Sequence, residues 1–229
     1  MAERVRGLFI TGTDTGVGKT YVAALMARAL VAAGRRVGVY KPAASGCRRE
    51  GDTLVSDDAV ALWQAAGRPG ELEHVCPQRF AAPLAPHLAA KAEGKQLDEE
   101  LLRRGVEYWH ERSEIILVEG AGGLMSPLGE EQYVADLVYD FGFPLVVVAR
   151  NALGTINQTL QTLITSAAFR NGLPLAGVVL NNPTVATGDA STLSNRAELA
   201  ARCVPPILAE VGFGAQRFDA EVDWFGLAK

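Results

Sequence analysis

The chain has 229 residues, of which 48% are hydrophobic and 21% charged, and a formal charge of −4 at pH 7. That length supports one sizeable core, and the composition excludes a disordered chain. The acidic balance and the lack of a basic stripe argue against a nucleic-acid partner, and no stretch approaches the roughly 20 apolar residues of a membrane span.

The first predicted element is a buried strand over residues 5–10, a short apolar run. It leads into Gly12-Thr13-Asp14-Thr15-Gly16-Val17-Gly18-Lys19-Thr20. Val22, Leu25, Met26, Ala29 and Leu30 then recur at helical spacing until Gly34, so a helix is expected over 20–33. A strand, a glycine-rich loop, Gly-Lys-Thr and a helix, in that order, form the context of a polyphosphate site. Glycines let backbone N–H groups turn inward around phosphate oxygens, and the helix N-terminus adds partial positive charge. Lys19 is placed to neutralise the β and γ oxygens, and the Thr20 hydroxyl to ligate magnesium. Five residues separate Gly12 from Gly18 where the common pattern has four, so the loop is a variant. The plain alternative is a glycine-rich turn with an incidental lysine.

A second strand over 36–40 ends at Lys41-Pro42-Ala43-Ala44-Ser45-Gly46. A lysine there, beside the phosphate loop in a doubly wound sheet, could stabilise charge at a γ-phosphate opposite Lys19, and Ser45 could orient a substrate. A solvated lysine ending a strand is the alternative. A helix is expected over 58–66, opened by Asp58, which is either a metal ligand or part of an ordinary helix start. Residues 78–87 read as an ordered loop, and 97–110 as a helix with a core face and a charged face. The third strand, 115–118, runs into Glu119-Gly120-Ala121-Gly122-Gly123, where a carboxylate beside glycines suits a magnesium ligand. Strands over 145–148, 176–180 and, more weakly, 207–211 alternate with helices over 155–170 and 190–203.

Strands that are apolar throughout, alternating with helices, imply an α/β fold: a doubly wound, mostly parallel sheet flanked by helices, in a single domain over 1–229. Ligands then sit at the carboxyl ends of the strands. His74, His87 and His110 share no metal-ligand spacing. Cys47, Cys76 and Cys203 form no CxxC, so neither a disulfide framework nor a zinc site is expected and the reduced cytoplasm is the expected location. The N-terminal apolar run is too short for a signal-peptide core.

Together these residues resemble the dethiobiotin synthetase family, P-loop NTPase-like enzymes of biotin biosynthesis, over nearly the whole chain. GTDTGVGKT is similar to its variant phosphate loop, KPAASG to its catalytic lysine and substrate serine, SDDAVAL to its aspartate-bearing helix, and VEGAGGLMSPL to its glutamate loop. Pro83-Leu84-Ala85-Pro86-His87 resembles a further family loop. The resemblance implies that ATP is a co-substrate with Mg2+, and that 7,8-diaminononanoate and CO2 form a carbamate, which ATP phosphorylates before the second amine closes a ureido ring. It assigns catalysis to Lys41 and Lys19, and magnesium to Thr20, Asp58 and Glu119. Nucleotide contacts are expected at Gly16, Val17, Gly18, Lys19, Thr20, Tyr21, Asp58, Glu119, Gly120, Ala121 and Gly122. Asn181 and Asn182 resemble the adenine-reading segment, joined by Val211, Gly212 and Phe213. Thr15 and Ser45 are expected at the substrate. Thr155, Ile156 and Asn157 resemble a helix start that receives the substrate carboxylate from the partner subunit of a homodimer.

Two departures stand out. The closing segment reads Ala209-Glu210-Val211-Gly212-Phe213-Gly214, without the family's proline, and Gly16 stands where some members carry an acid. An ATP-driven partitioning-type switch of the same fold is the other reading, but it would carry an extra lysine early in the loop, where Thr13-Asp14-Thr15 stands here. Membrane-binding switches also end in a basic amphipathic helix, whereas Asp219, Glu221 and Asp223 face only Lys229 in this tail.

Overall fold

The computed structural model describes residues 5–185 and 188–229. The first four residues of the N-terminal stretch judged to lack a signal core lie outside them.

In chain order, β1 (Arg6–Gly12), α1 (Lys19–Ala32), β2 (Val37–Tyr40) and the short β3 (Ala43–Ala44) build the first unit. A hairpin of β4 (Arg48–Glu50) and β5 (Thr53–Val55) precedes α2 (Asp57–Ala65), α3 (Leu72–Val75) and β6 (Gln78–Arg79). Then come α4 (Pro86–Ala92) and α5 (Glu99–Arg104), with a 3-10 turn over Gly105–Trp109. β7 (Ile115–Gly123), α6 (Val134–Phe141), β8 (Leu145–Arg150), α7 (Thr155–Ala168) and β9 (Leu175–Asn181) follow. A 3-10 turn over Ala190–Leu193, α8 (Asn195–Arg202), β10 (Ile207–Val211) and α9 (Trp224–Leu227) complete the order.

The main sheet has six strands in the order β10-β9-β8-β1-β7-β2, and every neighbouring pair is parallel. The middles of its central strands are apolar because helices cover both faces: Leu8, Phe9, Ile10, Ile115, Ile116, Val146 and Val147 are fully buried. The chain leaves β1 towards β2 on one side and later crosses to β8 on the other. The carboxyl end of β1 is therefore a switch point, where a crevice opens.

The expected strands and the helices at α1, α2 and α7 are present. Three expectations change. The helix over 97–110 is a short α-helix that tightens into a 3-10 turn at Gly105, and the helix over 190–203 is interrupted at Ser194. The loop over 78–87 contains β6, paired in parallel with β3, and the start of α4. Among the described residues, no helix is long and apolar enough to cross a membrane. All three cysteines are free.

Candidate active site

Strand register assembles the centre of the crevice. Tyr40 of β2 pairs with Val118 of β7, so the next residues, Lys41 and Glu119, emerge side by side at the same level. Ile10 of β1 pairs with Glu119 on the other side, which places the phosphate loop against the same carboxylate. Lys41 Nζ donates to Glu119 Oε1 at 2.6 Å and meets Asp58 Oδ2 at 3.0 Å. Thr20 Oγ1 donates to the same Glu119 oxygen at 2.8 Å, and Lys19 Nζ to the Asp14 carbonyl at 3.1 Å. Glu119 Oε2 is buried with no hydrogen-bond partner.

Burial works against the charge of Lys41, but Glu119 and Asp58 outweigh it, and its pKa is raised. Lys19 goes the other way: burial lowers its pKa, with nearby Lys41 adding to that effect and Glu119 opposing it. Asp58 is half-exposed, and Lys41 and Thr20 overcome its partial burial to hold the carboxyl below its ordinary value. Ser56 Oγ accepts the Ala59 N–H at 3.2 Å, capping α2 just before the turn that carries Asp58.

These groups line one cleft of about 840 Å³. It brings together Thr15, Gly16, Gly18, Lys19, Thr20, Tyr21, Lys41, Ser45, Asp58, Glu119, Gly120, Ala121 and Gly122 from the expected set. Val17 turns its side chain into the core. The cleft continues between α1 and α2 past Arg28 and Gln64, which the motifs did not single out. Their signal was helical spacing: Arg28 follows Tyr21 and Ala24 on one face of α1, and Gln64 lies beyond Asp58 and Ala61 on α2. Gln216 also lines the cleft, and Tyr21 donates to the neighbouring Ala215 carbonyl at 2.6 Å.

The remaining expected residues lie outside this cleft. Asn181 Nδ2 donates to the Val17 carbonyl at 2.8 Å. Asn182 Nδ2 donates to Glu210 Oε1 and the Val211 carbonyl, both at 3.0 Å. Val211 is buried in β10, whereas Gly212 and Phe213 are exposed after it. Thr155 is buried at the start of α7 with its hydroxyl unpartnered, Ile156 is partly buried, and Asn157 is exposed.

A phosphate loop, two lysines and two carboxylates around one hydroxyl can bind a polyphosphate and stabilise charge moving through it. Comparison with known proteins agrees. A family model described as an AAA domain matches residues 6–216. The chain is 41% identical over 214 residues to the ATP-dependent dethiobiotin synthetase BioD of Rhodopirellula baltica, covering 89% of this chain and 82% of that one. It is 46% identical over 196 residues to the protein of the same name from Anaeromyxobacter dehalogenans, covering 86% and 85%. Among solved structures, a ParA family ATPase from Chlorobium tepidum superposes with a TM-score of 0.54 at 16% identity, covering 91% of this chain and 83% of that one. A chain of the MinC:MinD cell division protein complex of Aquifex aeolicus gives 0.51 at 14% identity, covering 91% and 81%. At such identities the two structures show the P-loop NTPase-like fold alone. The matched span and the close relatives settle the kinship: the chain belongs to the AAA-domain family and to the ATP-dependent dethiobiotin synthetases.

Proposed function

We propose that residues 1–229 work as one ATP-dependent synthetase domain that converts 7,8-diaminononanoate and CO2 into dethiobiotin, a ligase step of biotin biosynthesis in the cytoplasm. The observation that carries this reading is the meeting of Lys41, Glu119, Asp58 and Thr20 at the mouth of the phosphate loop. One amine attacks CO2 to give a carbamate, and a carbamate oxygen takes the γ-phosphoryl group while ADP leaves. The second amine then attacks the carbonyl carbon, the bond to the phosphate oxygen breaks, phosphate departs and the ring closes, with the amine protons passing to solvent. Such a transfer needs charge and alignment rather than a protein nucleophile.

In this reading Lys19 and Lys41 hold positive charge on two sides of the transferred group, and Ser45 and Thr15 orient the diamine end of the substrate. Thr20, Asp58 and Glu119 fit magnesium, because all three present hard oxygen atoms and Glu119 Oε2 is buried without a partner. Among the described residues no group of three or more His, Cys, Asp or Glu is assembled that would hold the ion without the nucleotide. The ion supplies charge neutralisation of the β and γ phosphates. The α7 start, outside its own cleft, serves the partner's site in a homodimer and takes the substrate carboxylate at its positive dipole end. Asn181 and Asn182, with the segment from Val211 to Phe213, flank the base.

Incubation with the diamine, bicarbonate, magnesium and ATP should yield the cyclic urea, seen by mass spectrometry. Phosphate release that needs no diamine would favour the ATP-driven switch instead.

A further inference from the structure

The cleft has a second end that the reaction centre does not use. Between α1 and α2 it runs as a groove walled by Ala24, Ala61 and Ala65, and it ends at Arg28 and Gln64. Arg28 comes seven positions after Tyr21, so the two share one face of α1, about two turns apart. Helical side chains lean towards the N-terminus of their helix, and α1 begins at the phosphate loop. The Arg28 side chain, exposed and lining the groove, therefore leans towards Lys19 and Thr20.

Charge sets this arginine apart from the other cations of the cleft. Lys41 is held by Glu119 and Asp58, and Lys19 is buried against the Asp14 carbonyl. Among the described residues Arg28 forms no ion pair. The lining carries three cations, Lys19, Arg28 and Lys41, against two carboxylates, Asp58 and Glu119, so its charge is +1 with Arg28 and zero without it. The whole chain carries −4. A polyphosphate is thus repelled by the molecule at long range and attracted only where local cations outnumber acids.

We infer that Arg28 steers the polyphosphate of the nucleotide into the cleft along the α1–α2 groove, raising its rate of association without holding it once bound. The inference rests on the reading of this cleft as the nucleotide's site. An exposed charge at the edge of a site acts on association and its salt dependence, whereas a buried, hydrogen-bonded charge acts on dissociation. Lys19, buried at the phosphate loop, is of the second kind.

The test is stopped-flow association of a ribose-labelled fluorescent MgATP with the full chain, with dissociation read by displacement with excess MgATP. At an ionic strength of about 0.01 M, where screening reaches about 30 Å, Arg28→Gln should slow association about threefold and leave dissociation unchanged. Arg28→Lys keeps the charge and should associate like wild type, and Arg28→Glu should be slower than Arg28→Gln. Gln64→Glu puts an acid at the same end of the groove and should slow association as well, which ties the effect to the place and guards against a packing defect at Arg28. At about 1 M salt, where screening acts within about 3 Å, all these rates should converge. Arg112→Gln is the control for net charge, because Arg112 stacks on Tyr108 just before the amino end of β7, away from the cleft. Unchanged association in Arg28→Gln, an effect seen only in dissociation, or an equal slowing in Arg112→Gln overturns the inference. A wild-type protein that binds no MgATP refutes the nucleotide site itself, a result separate from any effect at Arg28.

Discussion

Lys41 is a buried cation whose charge depends on two carboxylates, and this dictates what its removal does. Lys41→Ala deletes the charge that the proposed mechanism sets against the transferring phosphoryl group, and it leaves Glu119 and Asp58 without their common partner. The expected loss is about 3 kcal/mol of transition-state stabilisation, or roughly a hundredfold in kcat. Lys19→Ala should lose as much and weaken ATP binding more; near-normal turnover in Lys41→Ala would remove it from the mechanism. Glu119→Gln keeps the shape but halves the acidic pair, so the magnesium concentration for half-maximal rate should rise while circular dichroism stays unchanged. An unshifted magnesium titration would take Glu119 out of the site. The pH dependence has a definite sign at Asp58. Its pKa is lowered from 3.8, so its pairing stabilises the fold above that value and is lost as pH falls through the lowered one. Asp58→Asn should therefore flatten the acid limb of the unfolding curve below about pH 4, where wild type loses stability.

Elements carry these side chains, and their ends are where small changes act. The Ser56 hydroxyl caps α2 one turn before the cleft, so Ser56→Ala should cost about 1 kcal/mol, read as a lower denaturation midpoint at constant slope. It should also raise the magnesium requirement, because Asp58 sits on the first turn that loses its cap; an unchanged midpoint would mean the cap contributes nothing. The strands, α1, α2 and α7 were legible because apolar runs and helical spacing are local signals. The break within 97–110 was not: Tyr40 of the distant β2 shares its hydroxyl between the Leu101 and Leu102 carbonyls, at 2.9 and 3.0 Å, where α5 tightens into the 3-10 turn. The α6 helix had a readable signal in Val134, Leu137, Val138 and Phe141, though only over eight residues. In the candidate site, Lys41 and Glu119 were legible as strand-end residues in motifs. The bond from Asn181 to Val17 was not, because it depends on the order of strands across the sheet, which no local pattern encodes.

At the scale of the molecule, the cleft holds the nucleotide side of the chemistry but not the α7 start assigned to the substrate carboxylate. Gly154, with φ of 94°, opens a 14-residue helix whose first N–H groups lack a side-chain cap. Leu153 and Ile164, near the start and on the surface of the same helix, are 84% and 67% exposed. Apolar surface beside an uncapped helix start is what a subunit contact would cover while presenting that start to a neighbour's cleft. If the site is shared in this way, a Lys41→Ala chain and an Asn157→Ala chain, each folded and nearly inactive, should complement when mixed. A mixed dimer has one site carrying both lesions and one carrying neither. With random exchange about half the dimers are mixed, so recovery of about a quarter of the wild-type sites is the upper expectation. Subunit exchange is checked independently by mass spectrometry of differently tagged chains. Exchange without any recovered activity would place Lys41 and the α7 start in the same site of one subunit and reject the shared arrangement.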